Sequence, residues 1–557
     1  MVRVMDVVIG IDVGTGSARV GVFSIDGRKV ATAVLSTRTW RPKADFAQQS
    51  TADIWSAVCR GVREAMVHVP DARVCGIGFD ATCSLAVVGP GGAPLSVDPD
   101  GAAEQDVILW ADHRAVAEAD EINAGGYDVL RYVGGVISPE METPKLLWLS
   151  RHMPDVFAQA ERFFDLPDYL TWRATGSDAR SCCSTTCKWT YLAHEQRWDD
   201  DFFRKIGLGV LVDEGFRRIG TDIRALGGHV GRGLSARAAE EMGLPEGTPV
   251  GVSAIDAHAG GIALLGAVHS GDLTNDDTAL NRSIALICGT SSCHMAVSRN
   301  PRFVRGVWGP YSGAMVPDMW LNEAGQSATG ALIDFIVDSH PAAAALRAET
   351  GDIYRALNAQ VEALEAGAIA GTSSRNLHVQ PDFFGNRSPY ADPTARGAVV
   401  GLPLSATVDD LARLYLATIQ GLAYGTRDIL DVLNREGYDI RTISATGGLT
   451  KNPLYLREHA NATGCAIILP REPDAVLLGA AILGAMAAKI YPSLGVAMAR
   501  MSHAGDTIRP DEKAHAFHRA KMAVFRDLHR DQLRYREMMN SAARGADIRE
   551  AERHPSG

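Results

Sequence analysis

Two aspartates that end apolar, strand-like runs beside glycine turns are the residues of this chain best suited to chemistry. Asp12 ends the run VIGID, and Asp256 ends VGVSAID directly before a Gly-rich, helix-like run. Two such carboxylates suit phosphoryl transfer, because one can hold Mg²⁺, directly or through water, while the other accepts the proton of a hydroxyl nucleophile. Each could equally cap a helix or satisfy a turn, and the residue types alone leave both interpretations open.

Two short stretches resemble each other and predict a phosphate grip. Residues 8–23 read VIGIDVGTGSARVGVF and residues 284–297 read IALICGTSSCHMAV, each a strand, a Gly-Thr turn and a second strand. Glycine permits a sharp turn and a close approach to a ligand, and successive N–H groups with small hydroxyls form an anion-binding nest. Two such turns, each opening one half of the chain, predict two related lobes that hold one phosphate-bearing ligand between them. The turn residues are Gly14, Thr15, Gly16 and Ser17 in the first and Gly289, Thr290, Ser291 and Ser292 in the second.

A third glycine turn, TGGLTKNPL at 446–454, follows a predicted strand and precedes a predicted helix. Gly447 and Gly448 would let the backbone approach a flat base or a ribose, and Asn452 could hydrogen-bond it. A lone Gly-Gly pair is most often a simple turn. The chain has no Walker A sequence, and its first glycine turn leads to a strand rather than a helix, so the dinucleotide-binding fingerprint is absent too.

Two polar clusters have the residue types of a sugar site. In the segment WADHR (110–114), Trp110 offers a face for the C–H side of a sugar, while Asp112 and Arg114 match hydroxyls. A solvated helix start explains this segment equally well. Three cysteines, at 182, 183 and 187, precede Lys188; a zinc site is disfavoured there because no Cys-x-x-Cys pair occurs.

Composition and charge narrow the class of protein. The chain has 557 residues, 46% of them hydrophobic and 22% charged, which favours two or more globular domains. Because the net charge is −11 and no long basic run occurs, we expect no nucleic-acid partner. The longest apolar run, residues 475–488, is too short to span a membrane, and no signal peptide is evident, so we expect a cytoplasmic protein without a membrane partner. The nine cysteines are odd in number and mostly in apolar contexts, which favours reduced thiols.

The pattern of elements predicts an α/β protein in which sheets are covered by helices. Apolar runs predict strands and helical spacing predicts helices, in the order strand, strand, strand, helix, strand in the first half. We assign an N-terminal domain to residues 1–270, a C-terminal domain to 271–510 and a helical extension with a frayed tail to 511–557. The predicted strands are 7–13, 18–25, 28–36, 73–79, 84–89, the two arms of 284–297, 396–401 and the run AIILP, and the predicted helices lie near 51–68, 408–434 and 474–489.

Taken together, these motifs resemble the FGGY family of carbohydrate kinases, within the sugar kinase/actin/Hsp70-type ATPase superfamily. The resemblance covers roughly residues 6–500, and the order and spacing of its motifs both fit. The motifs are IDVGTGSAR, PKLLWL, IDAHAG, CGTSS, EAGQSATG, GLPL, TGGLTKN and LLGAAILGA. The family's fold implies two ribonuclease H-like (actin-like ATPase) domains with a central interlobe cleft that closes over ATP and a sugar.

The resemblance also implies roles for single residues. Asp256 is implied as the general base, and Asp12 together with Asp256 as the site of Mg²⁺. The residues implied to bind ATP are Gly14, Thr15, Ser17, Arg19, Gly289, Thr290, Gly330, Gly447, Gly448 and Asn452. The residues implied to bind the sugar are Thr82, Cys83, Trp110, Asp112, Lys188, Asp256 and Glu323.

The first sugar loop, GFDATCSLAVV, looks like the ribulokinase branch of the family and especially its D-ribulokinase group. The resemblance therefore implies ATP-dependent phosphorylation of the terminal O5 hydroxyl of a pentulose, D-ribulose first and L-ribulose or D-xylulose as alternatives. A chaperone- or actin-like ATPase without sugar transfer is the alternative from another class, although it would have no need of Asp256 or Lys188. A homodimer stays open at this stage.

Overall fold

The first half of the chain is built on a five-stranded mixed sheet. The computed structural model describes residues 4–268 and 277–553. The strands of this half are β1 (Asp6–Val13), β2 (Ser17–Ser24), β3 (Lys29–Ser36), β4 (Gln48–Gln49), β5 (Arg73–Ala81), β6 (Leu85–Val88), β7 (Val107–Ile108), β8 (Arg162–Asp165), β9 (Arg180–Ser181), β10 (Ile223–Arg224) and β11 (Ala254–Ile255). Its helices are α1 (Thr51–Val67), α2 (Val116–Ala124), α3 (Glu142–His152), α4 (Pro154–Gln159), α5 (Leu166–Thr175), α6 (Cys182–Lys188), α7 (Asp200–Lys205), α8 (Gly209–Asp213), α9 (Ala236–Met242) and α10 (Asp256–Ala267).

The second half is built on a seven-stranded mixed sheet. Its strands are β12 (Ser283–Cys288), β13 (Ser292–Ser298), β14 (Trp308–Ser312), β15 (Trp320–Gln326), β16 (His378–Gln380), β17 (Ala398–Val400), β18 (Thr442–Thr446), β19 (Ala466–Pro470) and β20 (Ala504–Ile508). Its helices are α11 (Asp277–Asn281), α12 (Gly330–Asp338), α13 (Ala343–Thr350), α14 (Ile353–Leu364), α15 (Val408–Arg435), α16 (Pro453–Thr463), α17 (Ala475–Ala487), α18 (Leu494–Met501) and α19 (His515–Arg553).

The two sheets repeat one arrangement of five strands. In the first, the order is β11-β5-β1-β2-β3, with β1, β2 and β3 antiparallel and β5 and β11 parallel to β1. In the second, β15-β13-β12 are antiparallel and β18 and β19 are added parallel to β12. This duplication confirms the two related lobes predicted from the twin hairpins and the two ribonuclease H-like domains implied by the family resemblance. The boundary predicted between residues 270 and 271, and the tail beyond residue 553, lie outside the described residues.

Local sequence explains the main helices. Helix α1 begins where the Ser50 side chain accepts a hydrogen bond from the Asp53 N–H, and it buries Ile54, Val58 and Val62 against the sheet. The long helix α15 begins with a capping box, in which Thr407 and Asp410 satisfy each other's backbone N–H groups. Both helices lie within two residues of their predicted bounds.

Helix α17 crosses from the second half onto the sheet of the first. It is apolar on every side, buried along almost its whole length, and packs against β1, β5 and α10. The backbone approach is so close that a Cβ atom on Gly78 of β5 would lie 1.8 Å from the Ala480 carbonyl oxygen. The buried helix predicted from the apolar run therefore packs on the first sheet, and α10, against which it lies, contacts strands of both sheets. Within the described residues, no helix is both long and apolar enough to cross a membrane.

Candidate active site

A cavity of about 400 Å³ lies between the two halves, and both glycine hairpins open into it. Most of the residues expected to act in catalysis or in sugar binding, and half of those expected to bind ATP, line its wall. From the first half these are Gly14, Thr15, Arg19, Thr82, Cys83, Trp110, Lys188 and Asp256, and from the second half Gly289, Thr290 and Glu323. The fold thus brings together residues that are more than 300 positions apart in the chain.

Three carboxyl groups meet where parallel strands end. Asp12 of β1 pairs in register with Asp80 of β5, and Asp80 pairs with Ala254 of β11, two residues before Asp256. The carboxyl ends of parallel strands form the edge at which α/β sheets bind ligands. Asp12 and Asp80 are fully buried, whereas Asp256 is half-buried and lines the cavity.

Burial disfavours the negative charge of these carboxyl groups, so a bound cation would stabilise their charged forms. Burial raises the pKa of Asp12 to about 6, even though Arg19 Nη2 lies 2.6 Å from Asp12 Oδ2, and burial beside Asp12 raises the pKa of Asp80 further. In the described part of the chain, neither carboxylate oxygen of Asp80 has a hydrogen-bond partner. No three His, Cys, Asp or Glu side chains among the described residues form a complete metal cage. One or two carboxylates completed by substrate phosphates are, however, the usual environment of Mg²⁺, and this donor set fits it.

Asp256 is the first residue of α10. Its Oδ1 accepts a hydrogen bond of 2.7 Å from the N–H of Ala257, which fixes the carboxyl group at the helix N-terminus. Burial raises its pKa, and the positive end of the helix dipole favours its charged form. A carboxylate held in this way, facing a cavity, can accept a proton from a bound hydroxyl.

Each hairpin turn is closed by a hydrogen bond from its first glycine, although the first turn is one residue longer than the second. The N–H of Gly14 donates to the Ser17 carbonyl oxygen, and the N–H of Gly289 donates to the Ser291 carbonyl oxygen, both at 2.9 Å. The indole Nε1 of Trp110 donates to Thr15 Oγ1 at 3.1 Å, which links the first turn to a residue expected to bind the sugar. Ser17 closes its turn through its backbone, and it is not among the residues that line the cavity.

A second cavity of about 680 Å³ lies in the second half and holds three of the expected ATP residues, Gly330, Gly448 and Asn452. The N–H of Gly330 donates to the Gly289 carbonyl oxygen at 3.0 Å, so this cavity begins directly behind the second hairpin. In a ligand that spans both cavities, the middle part would lie against the second hairpin. This is the arrangement needed for a nucleotide with its phosphates between the lobes.

The glycine turn beside this cavity is fixed by its neighbours. Gly447 has a φ of +108°, and a Cβ atom there would lie 2.2 Å from the Cys288 carbonyl oxygen, so only glycine fits. The Asn452 side chain caps α16, since its Oδ1 accepts from the N–H of Leu454 at 3.1 Å and its Nδ2 donates to the Tyr415 hydroxyl at 2.6 Å. Asn452 therefore lines the cavity with a side chain whose polar atoms already have partners.

The wall of the first cavity that holds the expected sugar-binding residues is highly charged. Lys188, the last residue of α6, is 4% exposed and lies over the Trp308 ring at 4.7 Å. Glu323 of β15 is also buried, and although burial alone would raise its pKa, Lys188 and a hydrogen bond from His258 lower it to about 2. Thr82 and Cys83 lie in the loop between β5 and β6 and complete this wall.

Asp112 lies outside the cavity, contrary to the sequence-based expectation. Its carboxylate is fully buried, accepts a hydrogen bond of 2.7 Å from the N–H of Ala47, and pairs with Arg114 Nη2 at 2.7 Å. Both partners are thereby satisfied inside the first half, so Asp112 supports the Trp110 segment rather than facing a ligand.

Several residues in or beside the cavity are not among those predicted from the sequence. Glu140, Arg387 and Trp308 line the cavity, and His258 stands behind Glu323. His258 lies in the IDAHAG motif, so its nearness to Asp256 was a usable signal. Arg387 follows β16 in a loop without a catalytic pattern, and nothing in its local sequence marks it. Among the described residues, the three cysteines are not part of a group that could hold a metal ion. Instead, Cys183 Sγ lies 2.9 Å from His258 Nδ1.

Two family models cover most of the chain. The N-terminal domain model of the FGGY family of carbohydrate kinases matches residues 7–263, and the C-terminal domain model of the same family matches residues 284–488. The chain belongs to the FGGY family of carbohydrate kinases. This FGGY kinase is therefore an enzyme that takes ATP and a sugar as substrates, and a chaperone-like ATPase is no longer an alternative.

Individual relatives agree with this assignment. The FGGY kinase is 48% identical to an FGGY carbohydrate kinase domain-containing protein of Danio rerio over 94% of this chain and 97% of that one. It is 38% identical to a D-ribulokinase of Saccharomyces cerevisiae over 87% of this chain and 72% of that one. Among solved structures, a xylulose kinase from Lactobacillus acidophilus superposes with a TM-score of 0.77 over 95% of this chain and 98% of that one at 20% identity, which confirms the fold.

Proposed function

We propose that this FGGY kinase transfers the γ-phosphoryl group of ATP to the terminal O5 hydroxyl of a pentulose, and that the pentulose is D-ribulose. The observation that carries the proposal is the position of Asp256, which faces a cavity with phosphate-binding hairpins on one side and Lys188 and Glu323 on the other. A relative named as a D-ribulokinase, 38% identical over most of this chain, favours D-ribulose among the pentuloses.

In the proposed reaction, Asp256 accepts the proton of the O5 hydroxyl as that oxygen attacks the γ-phosphorus of ATP. The bond between the γ-phosphorus and the bridging oxygen breaks, and ADP leaves. The raised pKa of Asp256 makes the carboxylate a stronger base than a solvated aspartate, while its hydrogen bond to the Ala257 N–H keeps the acceptor oxygen in place.

The hairpins hold the phosphates. Thr15 of the first turn and Thr290 of the second both line the cavity, and their N–H and hydroxyl groups are donors for phosphate oxygens. Donors already aimed at developing charge typically lower a barrier by about 3–4 kcal/mol each. Gly330 and Gly448 in the adjoining cavity are proposed to contact the adenosine, and Arg19 reaches both Asp12 and the cavity.

We propose that Asp12 holds Mg²⁺, with Asp80 beside it adding negative charge. Asp256, which the resemblance implies as a second ligand, keeps its free oxygen for the proton. The donor set fits, because Asp80 has two buried oxygens without partners in the described residues and Asp12 lies next to it. When bound, Mg²⁺ would neutralise charge on the phosphates.

A coupled assay of ADP release over a panel of sugars tests the proposal. The panel contains D-ribulose, L-ribulose, D-xylulose, the pentitols and glycerol. We expect the highest kcat/KM with D-ribulose. A higher value for L-ribulose or D-xylulose would reassign the pentulose, and turnover confined to glycerol would contradict a pentulose kinase.

A further inference from the structure

We propose that His258 is a positioning residue that holds the Glu323 carboxylate in place for the sugar, an inference that rests on the proposed function. His258 itself does not line the cavity, whereas Glu323 does. The imidazole stands directly behind that carboxylate and contacts it through one ring nitrogen.

Both ring nitrogens of His258 are engaged, so the orientation of the ring is fixed. Nδ1 lies 2.9 Å from Cys183 Sγ, and Nε2 lies 3.3 Å from Glu323 Oε2. His258 and Cys183 are both fully buried. A ring held at both ends inside a packed core cannot turn without breaking one contact, so it presents Nε2 to Glu323 in a single geometry.

The chain of contacts joins three separate segments and both lobes. Cys183 belongs to α6, His258 to α10 and Glu323 to β15. Helix α10 begins with Asp256, two residues before His258, so the contact also fixes the distance between the proposed base and the proposed sugar-binding carboxylate. A sugar that contacts Glu323 would thereby be placed relative to Asp256.

Glu323 depends on this contact for its orientation. The imidazole of His258 is the hydrogen-bond donor that its side chain has among the described residues, whereas Lys188 and Arg387 act on it through charge alone. A nearby charge attracts a carboxylate but does not fix its rotation. A hydrogen bond both attracts the carboxylate and fixes its orientation. Small losses of position near reacting groups are costly, since a misplacement of about 1 Å can cost about 100-fold in rate.

Two substitutions at one position separate the role of each ring nitrogen. The amide nitrogen of asparagine lies near the position of Nδ1, whereas that of glutamine reaches toward Nε2. We expect His258→Asn to raise the KM for the sugar about 10- to 100-fold, the range expected for loss of a hydrogen bond to a charged group, with the KM for ATP changed less than about twofold. We expect His258→Gln, which keeps a donor for Glu323, to restore most of the sugar affinity.

The matched control is His459→Asn in α16. His459 is another fully buried histidine, but it contacts the Tyr455 carbonyl oxygen in the second half, away from the sugar. We expect its loss to change the melting temperature without raising the KM for the sugar. In a double-mutant cycle with Glu323→Gln, His258→Asn should raise the KM for the sugar less than it does in the wild-type background, because the carboxylate that His258 contacts is already altered.

Equal sugar KM values in the wild-type enzyme and the folded His258→Asn variant would overturn the positioning role, as would a variant in which the KM values for sugar and ATP rise together. If His258→Asn does not fold, Cys183→Ala carries the test, since it frees the ring at Nδ1; a severalfold rise in sugar KM supports the role and an unchanged value overturns it. Failure of the wild-type enzyme to phosphorylate any pentulose would instead contradict the proposed function.

Discussion

At the scale of single residues, the proposed chemistry depends on a few side chains whose surroundings shift their pKa values. Asp256 sits at a helix N-terminus beside two buried carboxyl groups, and Lys188 is buried beside Glu323. The strand-end aspartates could be predicted from the sequence because their signal, an apolar run followed by a glycine turn, is local. His258 was marked only by its nearness to Asp256, because its partner Glu323 is distant in the chain, and nothing in the sequence around Arg387 marks that residue. The prediction that Asp112 binds the sugar was wrong because its carboxylate forms a buried ion pair with Arg114, two residues later.

Asp256→Asn should remove the general base and keep the shape of the site. We expect kcat to fall by about 100- to 10,000-fold, the usual contribution of a positioned base, with little change in the dissociation constants for ATP and sugar. Steady-state kinetics with calorimetric binding measures both. Asp120→Asn, at an exposed position of α2, is the control. A turnover near that of the wild-type enzyme would remove Asp256 as the base.

Lys188→Met keeps the buried stem and deletes the charge. Because Lys188 stabilises the carboxylate of Glu323 and faces the sugar side of the cavity, we expect the KM for the sugar to rise about tenfold or more while the KM for ATP stays constant. Kinetics with each substrate varied in turn gives the answer, and an effect confined to ATP would contradict the assignment of this wall to the sugar.

At the scale of elements, short turns between regular strands and helices shape the nucleotide side. The hairpins at 8–23 and 284–297 could be predicted because strand, turn and strand are adjacent in sequence. That Gly447 serves the fold while Gly448 lines the cavity could not, since the carbonyl that excludes a side chain at Gly447 comes from Cys288, more than 150 residues earlier. The cap of α16 by Asn452, in contrast, has a local signal, since an asparagine followed by Pro453 is a typical helix start.

Gly447 and Gly448 provide a matched pair of alanine substitutions. Gly447→Ala forces a positive φ on alanine and a clash with the Cys288 carbonyl oxygen, so we expect a loss of about 1–3 kcal/mol in the free energy of unfolding and weaker ATP binding. A Cβ atom on Gly448 would meet no heavy atom within 4 Å, so Gly448→Ala should leave the stability unchanged. Denaturant unfolding of both variants checks this, and equal stabilities would contradict the steric argument.

At the scale of the whole molecule, two sheets of the same strand order enclose the cavity from opposite sides. The duplication could be predicted from the twin hairpins. The crossing of α17 from the second half onto the sheet of the first could not, because an apolar run rich in glycine and alanine indicates burial without saying against which sheet. This crossing places α17 in one buried core with residues of both halves, so the two lobes share part of their interior.

Closure of the lobes over both substrates is the expected motion. Since the hairpins belong to different lobes, a ligand that contacts both should draw them together and exclude water from the reaction. We expect small-angle scattering to give a smaller radius of gyration with sugar and a non-hydrolysable ATP analogue than with neither. The same radius in both states would contradict closure.

The oxygen that receives the phosphate shows whether Asp256 activates the O5 hydroxyl of the sugar. The kinase is incubated with ATP, Mg²⁺ and D-ribulose, and the product is analysed by phosphorus–proton correlation in NMR. Phosphate on O5, formed by the wild-type enzyme and nearly absent with Asp256→Asn, is the predicted result. Phosphate on any other oxygen, or ATP consumed to the same extent without sugar, would contradict the account.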